Sequence, residues 1–331
     1  MTETAEAEPS GDADVVIMIP LYNDWASLRL LLVDLDGVLA HAALRARVLV
    51  VDDGSTVEPE TGAWGPYGAL GPVEVVHLRR NLGHQRAIAV GLPYIEEHIP
   101  CRAVVLMDSD GEDAPSDVPR LLARFEEEGE RKIVFAERAR RSESPTFIVF
   151  YNLYKWLHVA LTGIGVRVGN FSVIPRRRLE SVVVVSELWS HYAAAVFKSR
   201  QPFCSVPTHR ATRLAGKPQM NFVRLVVHGL SAISVFSDVI GVRLLVATMI
   251  LTLLCLAGIG ATVAVRIFTT LAIPGWATML IGILLIVLLQ AIMFSILFSF
   301  LILGDRQATT FLPRRDYSPF VGETTTLGPE P

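Results

Sequence analysis

Charge is scarce in this chain: Asp, Glu, Lys and Arg make up only 19% of its 331 residues, while 51% are hydrophobic. A wholly water-soluble protein carries nearer a quarter charged residues, so part of the chain belongs in lipid. A positive excess is missing too. The 30 basic residues face 33 acidic ones, a net charge of −3, which offers no field to a polyanion and excludes a dedicated nucleic-acid binder. Cysteine is nearly absent. Cys101, Cys204 and Cys255 are widely spaced, odd in number and without a CxxC pair, so neither a disulfide framework nor a thiolate zinc site is expected, and a reduced, cytosolic setting fits. The opening MTETAEAEPSGDAD has no Lys or Arg, and the apolar run Val15 to Leu21 is too short for a signal-peptide core, so nothing predicts export of the N-terminal part.

The hydrophobic residues concentrate at the far end, in two uncharged runs, Leu244 to Val265 and Ala277 to Leu303. At 1.5 Å per residue each reaches across a hydrocarbon core of roughly 30 Å. The connection between them is short and holds Pro274 and Gly275, which predicts a transmembrane hairpin with both outer flanks on one side. Arg224 and Arg243 precede the hairpin and Arg306, Arg314 and Arg315 follow it, against Arg266 alone in the connection. The positive-inside rule places both flanks, and with them both termini, in the cytoplasm as part of a multi-pass inner-membrane protein. Between Asn221 and Arg243, Phe222, Leu225, Val226, Leu230, Ile233, Phe236 and Ile240 recur at helical steps opposite Arg224, His228, Ser231 and Asp238. This predicts an amphipathic interfacial helix over 219–243, broken near Gly229. Residues 1–13 read as disordered, and 304–331 as an extended or partly disordered cytoplasmic tail.

From Asp14 to about Cys204, β-branched runs such as VVIMIP, RVLVVDD, VEVVHL and AVVLMDSD alternate with helical stretches. That alternation predicts a mostly parallel, doubly wound α/β sheet over 14–218. Ligands in such sheets collect at the carboxyl ends of the strands, and polar groups cluster there: Tyr22, Asn23 and Asp24, then Asp52 and Asp53, then Asp108 and Asp110. Any one of these clusters could be only a turn and a helix cap. Alternating carboxylates at a strand end, however, aim two hard oxygen ligands at one point, as a Mg²⁺ or Mn²⁺ bridging a diphosphate requires. Glu112, two residues beyond Asp110, points the same way if the extended geometry continues, and is a candidate third metal ligand. His84, His191 and His228 stand singly, without a carboxylate or cysteine at ligand spacing, and carry no chemical assignment.

In order and spacing, MIPLYND, VLVVDDGST, LRRNLGHQRAIAVGL and VVLMDSDGEDAP resemble the family 2 glycosyltransferases of GT-A fold. With the C-terminal hairpin, the chain resembles their polyprenyl-phosphate branch, the dolichol-phosphate mannosyltransferase and bactoprenol glucosyltransferase group. The resemblance implies nucleotide-binding roles for Pro20, Tyr22, Asp24, Asp52 and Asp53, with Asp24 standing where the family usually has Glu. It implies metal ligation by Asp108 and Asp110, with Glu112 in place of the usual Gln, and a phosphate-binding role for Arg138, whose planar fork suits anionic oxygens. On the acceptor side it points to Asn170, Ser172 and Arg176 in GNFSVIPRR, and to Arg213. Lys217 neighbours the place where relatives carry a Ser-Lys pair that this chain lacks.

The reaction so implied is attack by a polyprenyl-phosphate oxygen on the anomeric carbon of a nucleotide-sugar, with inversion, UDP-hexose being favoured by resemblance to the bactoprenol branch. The acceptor is already anionic, so no general base is demanded. Other acceptors, lipid or saccharide, stay open, as does a homo-oligomer. A processive polysaccharide synthase would show QxxRW and more membrane helices; a non-catalytic nucleotide-sugar scaffold would not need intact Asp108 and Asp110. Two spans with almost no polar residues give a sugar lipid no path, so a separate flippase is implied.

Overall fold

The computed structural model describes residues 14–59, 64–138, 159–163, 168–216, 222–269, 275–307 and 311–328. The expected disordered stretch 1–13 lies outside them, as does Lys217. The chain divides into two compact units, one comprising 1–148, 166–235 and 310–331, the other 149–165 and 236–309.

The first unit is built on a mixed sheet. Its strands are β1 (Val15–Leu21), β2 (Ala46–Asp52), β3 (Leu70–Leu78), β4 (Ala103–Leu106), β5 (Ile133–Arg138), β6 (Val168–Pro175), β7 (Phe203–Thr208) and β8 (Val321–Leu327), ordered β7-β5-β6-β4-β1-β2-β3-β8. β1 to β4 run parallel; β6 runs antiparallel to both β4 and β5, and β8 antiparallel to β3. Apolar side chains alternate between the two faces: Val15, Ile17 and Ile19 of β1 join one core, and Val16 and Met18 the other. A strand covered on both faces reads as a continuous apolar run, which VVIMIP does.

Helix α1 (Trp25–His41) lays Leu28, Leu31, Leu32, Leu35 and Leu39 into the first core, joined by Leu121, Leu122 and Phe125 of α3 (Val118–Glu127). On the opposite face α2 (His84–His98), α4 (Arg176–Val182) and α5 (Tyr192–Lys198) close the second core. Helices α1, α2 and α3 each begin just past the carboxyl end of a parallel strand, β1, β3 and β4, the edge where the acidic clusters lie, whereas α4 begins at the opposite edge, after the antiparallel β6.

The last segment, expected to be extended or partly disordered, packs onto the first unit over residues 311–328. Phe311 and Phe320 pack against Trp189 at ring-centroid distances of 4.0 and 5.2 Å, Arg314 pairs with Glu97 at 2.7 Å, and Val321–Leu327 becomes an edge strand on β3. In VGETTTL only the ends are strongly apolar, so no hydrophobic alternation betrayed a strand whose threonines favour one.

Helix α6 (Phe222–Ser234) runs unbroken through Gly229, and the chain turns instead at Val235 and Phe236. One mid-helix glycine costs about 1 kcal/mol, too little to end a helix. In the second unit α7 (Ser237–Phe268) begins ahead of the expected Leu244 and α8 (Trp276–Gln307) follows. Ser295 Oγ donates to Thr248 Oγ1 at 2.7 Å and Leu284 lies against Gly258, so the helices pair antiparallel. Thr252 and Thr262 bond carbonyls one turn back, at 2.9 and 2.8 Å, leaving little polar surface. Ser237–Phe268 and Trp276–Phe300 are long and apolar enough to cross a bilayer, and large side chains such as Leu254, Met279 and Leu289 face outward.

Candidate active site

Three strand ends and one returning loop meet at the acidic edge. After β1, Asn23 adopts a left-handed φ of 52°, which asparagine tolerates. Its Oδ1 accepts from the amides of Thr56 and Val57 at 2.8 and 3.1 Å, lacing the β1 and β2 loops together. Pro20 is buried within β1, opposite Val51, and Tyr22 is half-buried at its end.

Asp52 and Asp53 are both buried, 4% and 3% exposed, and are turned to different tasks. Asp52 Oδ1 accepts from the Ser55 amide at 3.0 Å and Oδ2 meets His77 Nδ1 at 2.8 Å. Asp53 instead clasps the loop before α2: its oxygens accept from the Leu82 and Gly83 amides at 2.6 and 2.8 Å. Burial pushes the Asp53 carboxyl above the ordinary aspartate range, against the pull of those two amides. Gly54, at φ 69°, lets the β2 turn settle on this loop, since a Cβ there would lie 2.7 Å from the Asn81 nitrogen.

After β4, Asp113 Oδ2 accepts from the Asp108 amide at 3.0 Å, and Asp110 Oδ1 from the Glu112 amide at 3.0 Å. The turn is pinned from above by residues 209–216. Leu214 N donates to Asp110 O and Ala211 N to Glu112 O, each at 3.0 Å. Gly111, at φ 80°, is required because any Cβ would collide with Leu214. Arg213 lies at the centre of this strap: its guanidinium bonds Asp24 Oδ2 and, at 3.1 Å, Asp110 Oδ2, with Nε on Ala215 O at 2.8 Å. Ser27 Oγ donates to Asp24 Oδ1 at 2.8 Å and also reaches Ala215 O.

Glu112 does not join Asp108 and Asp110. Its carboxylate turns away to Arg210, whose Nε donates at 2.7 Å, and no cluster of three metal-ligating side chains forms among the described residues. Gly111 bends the chain, so the two-residue repeat that would have aligned Glu112 ends at Asp110. Asp108 and Asp110, about a third and a fifth exposed, remain a pair of hard oxygen donors that suits Mg²⁺ or Mn²⁺ when a diphosphate completes the shell.

The antiparallel course of β6 separates the three acceptor-side candidates, Asn170 and Ser172 on the strand and Arg176 directly after it. Ser172 pairs with Leu106 and Pro175 with Ala103, so the start of β6 lies beside Asp108 and its end lies at the opposite edge of the sheet. Asn170 is at the site: Nδ2 donates to His84 Nε2 at 2.9 Å and Oδ1 accepts from Gln85 at 3.2 Å. Ser172 is fully buried, bonded to Tyr192 OH at 2.8 Å, and cannot meet an acceptor. Arg176 caps α2 from the far edge, donating to Glu96 O at 2.6 Å. Arg138 closes β5, whose end runs beside the start of β6.

His84, isolated in the sequence from any carboxylate or cysteine at ligand spacing, lies at this site in the fold. It opens α2, and its Nε2 stands 3.4 Å from Asp108 Oδ1. Burial holds its pKa below the ordinary histidine value, against the pull of Asp113, Asp53 and Asp110. The available signal was its place directly after Gly83, where a helix N-terminus faces the strand ends. His191, by contrast, is buried as the N-cap of α5.

Residues 16–179 match the family described as Glycosyl transferase family 2. An uncharacterised glycosyltransferase of Synechocystis sp. is 24% identical over 295 residues, covering 87% of this chain and 90% of that one. An undecaprenyl-phosphate 4-deoxy-4-formamido-L-arabinose transferase of Klebsiella pneumoniae is 32% identical over 114 residues, 34% of each chain. Among solved structures, glucosyl-3-phosphoglycerate synthase of Mycobacterium tuberculosis aligns with a TM-score of 0.50 at 18% identity, over 70% of this chain and 81% of that one, a likeness of fold. With the family match running from β1 into α4 and carrying every acidic strand end within it, residues 16–179 form a family 2 glycosyltransferase domain of GT-A fold.

Proposed function

We propose that the chain transfers a hexose from a nucleotide-sugar, with UDP-sugar favoured, to a polyprenyl phosphate at the cytoplasmic face of a membrane. The observation that carries this reading is the convergence of Asp24, Asp52, Asp108 and Asp110 at one edge of the sheet, in a chain that also has two helices apolar enough to cross a bilayer. The undecaprenyl-phosphate named as substrate of the Klebsiella relative supports the lipid acceptor. The five-to-one excess of Lys and Arg on the outer flanks supports the cytoplasmic side.

In this reading a phosphate oxygen of the lipid attacks the anomeric carbon, the bond from that carbon to the diphosphate breaks, and the nucleoside diphosphate leaves. Asp52 holds the nucleoside, Asp53 fixes the loop beneath it, and Asp108 and Asp110 hold Mg²⁺ or Mn²⁺. When bound, that cation supplies charge stabilisation at the departing diphosphate. Arg213, with Arg138 and Lys217, supplies cationic donors for the phosphates, and Asn170 and His84 form the polar wall on the β6 side. An anionic acceptor needs no proton removed, which suits a site whose nearest imidazole, His84, is already bonded to Asn170.

The test is incubation of membranes holding the chain with UDP- and GDP-sugars, Mg²⁺ or Mn²⁺ and undecaprenyl phosphate, followed by mass identification of any glycolipid. A hexosyl-phosphoryl-lipid is the expected product. Nucleotide binding without transfer from any donor would favour a membrane-bound nucleotide-sugar scaffold instead.

A further inference from the structure

The buried carboxylate of Asp52 is reached from the C-terminal end of the chain. On β2 and β3, Val48, Val50, Val73 and Val75 project into the first core, and the period of two carries Asp52 and His77 onto that same face at the strand ends, where they pair in register. On β8, Leu327 packs against this core and Thr325, two residues away, shares its face. Three polar side chains from three neighbouring strands thus stand in a row. His77 Nδ1 meets Asp52 Oδ2 at 2.8 Å, and His77 Nε2 meets Thr325 Oγ1 at 2.9 Å.

We infer that Thr325 and His77 are positioning residues for the donor nucleotide, making the segment that follows the second apolar helix part of the nucleotide site. This rests on the reading of Asp52 as a nucleoside ligand. With one oxygen held by the Ser55 amide and the other by His77, the carboxylate is fixed in orientation at both oxygens. The carboxylate only accepts, so Nδ1 donates to it, and the threonine hydroxyl, able to donate to or accept from Nε2, holds the ring in that orientation. An edge strand needs only backbone bonds to stay in the sheet; the hydroxyl at 325 adds a contact that reaches the site.

The experiment uses the full-length protein in detergent, with UDP and GDP as probes in MnCl₂, titrated calorimetrically and followed by thermal melts. Thr325→Val keeps the shape and β-propensity and removes the hydroxyl. It should weaken binding of the preferred nucleotide by roughly three- to ten-fold, the worth of about one net hydrogen bond, with the melting temperature unchanged and with KM for the nucleotide-sugar raised rather than kcat lowered. Thr325→Ser should restore wild-type affinity. In a His77→Asn background, which keeps a donor near Asp52 but cannot reach residue 325, Thr325→Val should have no further effect. Wild-type affinity in Thr325→Val while Asp52→Asn loses binding would overturn the positioning role and leave the reading of Asp52 intact. Unaltered binding in Asp52→Asn, or no nucleotide binding by the wild type, would overturn both.

Discussion

Replacing Arg213 tests the centre of the site most directly. Its guanidinium joins Asp24 and Asp110, carboxylates from two different strand ends, and all three side chains are mostly buried, at 16%, 14% and 21% exposure. A hydrogen bond to a charged group contributes about 1.5–3 kcal/mol, and the residual exposure argues for the lower end of that range. Arg213→Met, which keeps the apolar stem, should therefore cost about 2–3 kcal/mol in the nucleotide-free protein. Arg213→Lys should recover only part of this, because one ammonium cannot fork between two carboxylates. The same substitution frees Asp110 from a competing cation, so Mn²⁺ should bind at least about five-fold more tightly, a gain of about 1 kcal/mol. Thermal melts of the detergent-solubilised protein, with and without MnCl₂ and without nucleotide, read both effects. An Arg213→Met protein with the wild-type midpoint and the wild-type response to Mn²⁺ would refute the reasoning.

Asp110→Asn should abolish transfer in a folded, membrane-bound protein, while Glu112→Gln should leave the Mn²⁺ midpoint of activity where it is, because Glu112 is engaged by Arg210; a shifted midpoint for Glu112→Gln would restore it to the metal shell. Asp53→Ala leaves the Leu82 and Gly83 amides without acceptors and should destabilise by about 2–4 kcal/mol, measured by thermal melts; a loss below about 0.5 kcal/mol, the size of an ordinary surface substitution, refutes the clasp. Burial raises the Asp36 carboxyl, but the amides of Gly68, Leu70 and Ala69 more than offset this and hold its pKa below the ordinary 3.8. Its stabilising contribution is thus present above pH 3.8 and fades as pH falls through the lower folded value. Asp36→Asn should be less stable than wild type at pH 7, with the gap closing in acid; an equal gap at both pH values counts against it.

By itself the sequence determined the α/β sheet, the acidic strand ends and the two apolar helices, because each is a local signal. VVIMIP is apolar at every position that two covered faces demand, DSDGED sits at a strand end, and Leu244 to Val265 is uncharged over a length that spans a bilayer. Only the tertiary structure decided which polar residues work together. Ser172 and Arg176 read as neighbours of Asn170 along the chain, yet an antiparallel strand buries one and carries the other to the far edge of the sheet. Glu112 reads as a third ligand until Gly111 turns the backbone and Arg210, ninety-eight residues away, takes its carboxylate. Arg213 and His77 reach carboxylates across separations of 189 and 25 residues, and Thr325 reaches His77 across 248. No periodicity or spacing encodes such contacts, since strand order and direction arise from packing two hydrophobic faces at once, and that packing alone brings these groups to one edge.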